Sequence, residues 1–474
     1  MNYPIVLIHG YSDVPESFDN WRKALIKNGY NDKDIHTCGY RSLTNEVTIK
    51  DIAEGFDRAL RLQAGLSKDE PFDAIVHSTG MLVLRTWLTT YAKRKRRLKR
   101  MIALAPASFG SPLAHKGRSW LGAIFKGNRA LGPDFLDAGD LVLDGLELGS
   151  PYTWDLTHRD LLSNEVFYGP DEKTPYVFTF CGIKAYSGLQ GLVTNPDGSD
   201  GTVRWAGCSL NTRKIILNLT LEPEAVDAQS PEVVISAERE EDLNEKEDQK
   251  ERISFAKWQK DERCHLTIPF VPMEGLNHNT IIMEPSEELI KLVVSALQVS
   301  TKQEYDQWNE KAVKQTESTV KKIKKWQQFL VHAVDERGDP IYDYNIAIVG
   351  WYKNALTKPK PVEVDVHTYS GDKSYRCFHI NLSDLALENL ARLRIEIIAS
   401  SGTDLLKYYG HLQANGQEVD NGNWTAVLEM DDMIGNAEVQ FFYPFTTTLV
   451  ELKLNREPEP PKDVNKVAWF HVAK

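Results

Sequence analysis

Apolar and polar positions follow two different rhythms along this chain, and the change falls near residue 325. Before it, short apolar runs alternate with stretches of helical period. "PIVLIHG" (4–10), "DIHTCGY", "FDAIV" (72–76), "RMIALAPA" (100–107), "YVFTFCGI" (176–183) and "HLTIPFVPM" (265–273) each read as a buried strand. Between them, "PESFDNWRKALIKNGY" (15–30), "TIKDIAEGFDRALRL" (48–62), "MLVLRTWLTTYA" (81–92) and "EELIKLVVSALQV" (287–299) read as helices. In the second of these, Ile52, Phe56 and Leu60 fall on one face. Strands alternating with helices predict an α/β fold with a mainly parallel sheet and helices on both faces. Residues 300–325 read as a connecting helix.

Beyond 325 the period becomes 2. In "LARLRIEII", Leu393, Ile395 and Ile397 alternate with Arg394 and Glu396. "FLVHAVDERGDPIYDYNIAIVGWY" is two apolar strands around a Gly338/Pro340 turn, and "EVQFFYPFTTTLVELKL" is a further strand region. The pattern predicts two domains, 1–325 and an antiparallel β-sandwich over 326–474. Two insertions interrupt the first domain. Residues 108–170 stand where a cap belongs, with "RSWLGAIF" (118–125) as an apolar cap helix. Residues 221–263 contain "AEREEDLNEKEDQKER" (237–252), whose charge density reads as a solvated surface excursion.

Composition narrows this picture. At 474 residues the chain exceeds one compact core, which agrees with two domains. A net charge of -11 argues against nucleic acid as a partner. The basic run "RKRRLKR" (94–100) follows a predicted helix, where cations complement the helix dipole. The five cysteines are scattered without a CxxC pair, which suits a reducing compartment and gives no zinc motif. "MNYP" leads directly into "IVLIHG" without a secretory signal, and no apolar run approaches the roughly 18 residues of a membrane span. The expectation is a cytoplasmic protein.

The chemistry centres on "FDAIVHSTGMLVLR", a strand, a short polar break and a helix. A serine there sits on a tight turn that presents its hydroxyl clear of the backbone, and Gly80 lets the following helix pack closely. Val76 stands where such a turn prefers glycine. A serine hydroxyl needs an adjacent base, and partners in this arrangement follow in the order serine, acid, histidine. His278, in the loop "MEGLNHNTII", is the base; His265 opens a strand. The acid belongs in "NPDGSDGTVRWAG": Asp200 closes that loop, whereas Asp197 before Gly198 reads as a turn residue. An oxyanion needs two aligned N–H donors, and these are Thr79, after the nucleophile, and Tyr11 in "HGYSD".

"PIVLIHGYSD", "VHSTG", "LAPASFGSPLAHKG", "SDGTV" and "GLNHN" together resemble the lipase-like branch of the α/β-hydrolases over residues 1–300. The resemblance implies Ser78, Asp200 and His278 as a catalytic triad, Tyr11 and Thr79 as oxyanion donors, and a cap beginning near "FGSPLA". Some relatives hold calcium through acidic residues near the histidine loop; "GLNHNTII" has none, so neither metal nor cofactor is expected. The implied activity is hydrolysis of acyl esters of lipids, as in a lipase or phospholipase; in the phospholipase reading the basic run would draw the protein to anionic headgroups at a membrane surface. Alternatives are acyl transfer by the same triad, or a non-catalytic scaffold binding a protein partner through residues 326–474.

Overall fold

The structure is a computed structural model describing residues 2–10, 15–40, 46–92, 95–114, 140–169, 173–187, 195–220, 253–255, 268–403, 405–410, 423–429, 441–458 and 467. The expected cap helix 118–125, the charged run 237–252, His265 and Tyr11 lie outside the described residues.

The chain divides into two compact units: residues 1–212 with 257–328 and 444–447, and residues 213–256 with 329–443 and 448–474. The second unit therefore draws on residues 213–256 as well as on the segment after 325. The reason lies in the chain path. It runs through β1 (Ile5–Ile8), β2 (Ile35–Cys38), β3 (Phe72–His77), β4 (Leu98–Leu104) and β5 (Tyr176–Gly182). It then leaves for β6 (Thr212–Asn218) and β7 (Ile253–Phe255), and returns as β8 (Phe270–Met273). β6 and β7 pair in the other unit's sheet.

In the first unit the strands form one parallel sheet in the order β2-β1-β3-β4-β5-β8. All six residues of β3 and all seven of β5 are buried, as expected when both faces carry helices. One face packs on α1 (Asp19–Lys27), where Trp21 and Leu25 are buried. The other packs on α2 (Ile49–Leu62) and α3 (Gly80–Thr90) through Ile52, Phe56, Met81 and Trp87. Thr48 caps α2 in a reciprocal box with Asp51. Within the expected cap segment, helices α4 (Asp140–Leu146) and α5 (Pro151–Asp160) are described. Asp160 of α5 takes two 2.8 Å hydrogen bonds from the buried Arg85 of α3. A small helix α6 (Trp205–Cys208) precedes β6; α7 (Thr280–Met283), α8 (Glu287–Ala296) and α9 (Lys302–Lys322) follow β8. No helix among the described residues is long and apolar enough to cross a membrane.

Within the basic run, two of the described arginines point inward. Arg97 and Arg100 are buried, and β4 already begins at Leu98. Arg97 donates to the carbonyls of Glu70 and Leu66, and Arg96 to that of Thr174. Arg100 donates to Asp73 at 2.8 Å and to the Val299 carbonyl at 2.7 Å. These guanidiniums tie loop ends of the sheet together from inside. Burial, opposed by Arg100, pushes the Asp73 carboxyl up to about 7. The other oxygen, Oδ1, has no hydrogen-bond partner, which is consistent with that direction. A carboxyl raised in the folded state stabilises the fold at low pH and loses that contribution as pH rises through its folded value. Between pH 5 and 8 the stability of the native chain relative to Asp73→Asn is expected to fall by on the order of 2 kcal/mol. Paired denaturant titrations at the two pH values measure this; a constant gap refutes the shift.

The second unit is a sandwich of antiparallel sheets. One has the order β11-β10-β14-β16, from β10 (Asp343–Tyr352), β11 (Ala355–Pro361), β14 (Leu390–Ser400) and β16 (Asn423–Glu429). The other has the order β12-β13-β9-β17-β6-β7, where β9 is Trp326–Asp335, β12 Val364–Thr368, β13 Tyr375–Asn381 and β17 Thr446–Glu457; β15 (Lys407–Tyr409) pairs with β17. Leu393, Ile395 and Ile397 of β14 point into a core shared with Phe329, Val331, Leu452 and Leu454, so the period-2 pattern sorts the strand's faces. Aromatic side chains of β10 and of residues 441–445 join the packing. Phe441 stacks on Phe329, Phe442 is buried, and Trp351 is covered by Arg392 and Arg394.

Candidate active site

The carboxyl end of a parallel sheet is where loops from neighbouring strands can converge. β3 ends at His77, and the next residue, Ser78, has φ 52. That left-handed backbone is uncommon for a residue with a side chain and costs about 1–3 kcal/mol. It is enforced from both sides: the Ser78 N–H donates to Leu104, and its carbonyl accepts from Met81 and Ala107. Gly80 then explains itself. A Cβ there would lie 2.7 Å from the Ile8 carbonyl oxygen and 2.9 Å from that of His9, so α3 starts against β1 only with glycine. Val76 causes no conflict, because it is an in-register strand residue between Ile8 and Ala103.

β8 lies at the far edge of the sheet, and its following loop brings His278 back over Ser78. The Gly275 turn at φ 77 starts the loop, and Lys184 N–H holds its Leu276 carbonyl at 2.8 Å. Asn277 Oδ1 accepts from Asn279 and Thr280, which starts α7, and Trp21 Nε1 anchors that helix through Ile281. His278 Nε2 stands 3.1 Å from Ser78 Oγ, and Nδ1 stands 2.8 Å from Asp200 Oδ2. A carboxylate cannot donate, so Nδ1 carries the proton and Nε2 is left to accept from the serine hydroxyl. His278 and Asp200 are fully buried and Ser78 is 4% exposed.

Asp200 sits in the loop after β5. Its Oδ1 accepts from the N–H groups of Thr202 at 2.9 Å and Val203 at 2.8 Å, and its carbonyl accepts from His278 N–H at 3.1 Å. Both carboxylate oxygens thus have fixed donors. Asp197 belongs to the turn before Gly198. The loop rests on Trp326: a Cβ at Gly198 would lie 2.6 Å from that indole, and Gly198 has φ 64. Trp326 in turn accepts from Phe445 N–H at 2.7 Å, and Thr447 bridges Gln328 Nε2 to the Ala206 carbonyl. All of these residues belong to the first unit. The change of rhythm at 325 conceals that membership.

Thr79, the residue after Ser78, is fully buried at the start of α3. Its hydroxyl has no hydrogen-bond partner, and its N–H donates to no acceptor among the described residues. The neighbouring loop is held by His9, whose Nδ1 bonds the Gly10 carbonyl and whose Nε2 accepts from Tyr40 N–H.

Cys181 and Cys208, distant in sequence, meet beside Asp200 with their sulfurs 3.2 Å apart. With Asp200 they form a cluster whose donor atoms lie within 4.8 Å, which sequence spacing alone does not reveal. The arrangement does not suit an ion. Two thiolates on one tetrahedral zinc stand about 3.8 Å apart, and Asp200 already serves His278 and two N–H groups. Burial, reinforced by the Cys208 contact, pushes the Cys181 thiol up, and burial also raises Cys208, so both are neutral thiols.

Comparison with solved structures adds the fold relationship. Phospholipase PlaB from Legionella pneumophila is similar over 100% of this chain and 98% of that one, with a TM-score of 0.73 and 20% sequence identity. The chain has the α/β-hydrolase fold. The complex of PlaB with thio-NAD matches with the same values. Lipase BlEst2 from Bacillus licheniformis in its mature form matches over 44% of this chain, with a TM-score of 0.32. No protein-family model matches the sequence, and no curated protein matches it. Within the hydrolase fold, the sheet order and the strained serine after β3 are the features that bring Ser78, His278 and Asp200 to one place.

Proposed function

We propose that this chain is a serine ester hydrolase that cleaves acyl esters of lipids. The observation that carries the reading is the continuous line from Asp200 Oδ2 through His278 to the hydroxyl of Ser78, with bonds of 2.8 and 3.1 Å. In this reading Ser78 Oγ attacks the ester carbonyl while His278 Nε2 takes its proton. Asp200 stabilises the imidazolium and keeps the ring in the accepting tautomer. Negative charge on the carbonyl oxygen meets the Thr79 N–H, with Tyr11 as second donor. His278 then hands the proton to the leaving alcohol, and an acyl group remains on Ser78. Water, activated by the same base, releases it. An alcohol in place of water would give acyl transfer by the same steps.

The lipid part of the proposal rests on the likeness to a phospholipase along the full chain. A fluorophosphonate probe tests the chemistry: it is expected to label one residue, Ser78, identified by peptide mass. A panel of p-nitrophenyl esters, triglycerides and phospholipids tests the substrate class, with long-chain esters expected to be turned over. A folded protein that neither labels nor hydrolyses any of them refutes the reading in favour of a scaffold.

A further inference from the structure

We propose that His77 is a positioning residue that holds the base above the nucleophile; this rests on the hydrolase reading and adds a residue to it. The need for one follows from the topology. β3, which carries Ser78, and β8, which carries His278, are separated in the sheet by β4 and β5. At about 4.8 Å per strand spacing that is roughly 14 Å, which the loop after β8 must recross. Several of its restraints come from the β5 side: Lys184 N–H on Leu276, Asp200 on both the N–H and the Nδ1 of His278. They fix the base relative to the acid. None of these contacts is made by β3, the strand that carries the serine.

His77 supplies a contact from that strand. Its Nε2 lies 2.9 Å from the main-chain carbonyl of His278, and the two imidazoles pack with centroids 4.8 Å apart. A carbonyl oxygen only accepts, so Nε2 of His77 is the donor. The residue is fully buried and is the last of β3, adjacent to Ser78. A rigid strand therefore grips the backbone of the base one residue before it presents the nucleophile. An apolar side chain would fill this position as well for packing alone, and the buried strand is otherwise apolar from Ala74 to Val76. Displacement by about 1 Å near reacting atoms costs up to about a hundredfold in rate.

His77→Met and His77→Gln test this, because the two side chains are close in shape and only Gln offers an N–H. Active sites are counted by fluorophosphonate titration, and kcat is expressed per titrated site on a soluble p-nitrophenyl ester. The Met variant is expected to lose about a hundredfold in kcat with KM changed less than about threefold. The Gln variant is expected to stay within about tenfold of the native enzyme. A packing role alone would lower the melting temperature and the number of titrated sites while kcat per site held. That result for Met, or Gln no better than Met, overturns the proposal. A native protein that does not label at Ser78 overturns the hydrolase reading itself, so the two failures are distinguishable.

Discussion

Ser78→Ala is expected to abolish ester turnover, with kcat reduced about a million-fold, and His278→Ala to be nearly as severe because the two act as one unit. Asp200→Asn is expected to cost about ten-thousand-fold, for a reason visible in the structure. Thr202 and Val203 N–H groups both point at Asp200 Oδ1. In the asparagine variant they would select the amide oxygen for that position and place its NH2 where Oδ2 now meets His278. That NH2 would donate to Nδ1 and move the imidazole proton to Nε2, where it blocks acceptance from Ser78. Steady-state assays with burst titration measure all three. Turnover of native magnitude by the serine variant, at a purity that excludes contaminating esterase, sinks the mechanism; native turnover by the asparagine variant sinks the role of Asp200.

Ending the chain after Lys325 is expected to inactivate the protein even towards small soluble esters. The cut looks clean in sequence, because the helix α9 ends at Lys322 and the strand alternation begins just after. It nevertheless removes Trp326–Gln328 and Pro444–Thr447, which belong to the first unit. Gly198, in the loop of Asp200, would lose the indole beneath it, and Phe270 of β8 would lose its stacking partner Phe445, now at a centroid distance of 4.8 Å. The Ala206 carbonyl would lose the hydroxyl of Thr447. Trp326→Ala isolates the contribution of the acid-loop contact, and removal of a buried large aromatic costs about 3–5 kcal/mol. Circular dichroism with esterase assays on both proteins provides the check. A truncated chain with native kcat would show that these contacts are dispensable.

The legible parts of the molecule were those written in local periodicity. The strand runs ending near Val76, Ile183 and Met273 mark the loops that deliver Ser78, Asp200 and His278, so the order of elements places all three at one sheet edge. Gly80 was readable as a close approach, and the backbone carbonyls of Ile8 and His9 supply the contact. Other features depend on distances that sequence does not encode. "RKRRLKR" reads as the cationic end of a helix, yet Arg97 and Arg100 donate hydrogen bonds to the carbonyls of remote loops. The Cys181–Cys208 pair lacks any spacing motif because β5 and α6 bring it together. His77 was in view inside the motif, but its partner is two hundred and one residues away. The clue available was a polar ring ending an otherwise apolar strand.

The path of strands β9 and β17 has a consequence for how the protein is made. Each contributes residues to both units, and β6 leaves the first unit to enter the second's sheet before β8 has been synthesised. Domains emerging from a ribosome ordinarily close one after another, N-terminal first. Here the hydrolase half cannot receive Phe445 and Thr447 until β17 has been translated, and the sandwich cannot close without that same strand. The nascent chain would thus carry Ser78 long before the floor under the Asp200 loop exists, and on the proposed reading esterase activity would arise only after β17 has left the tunnel.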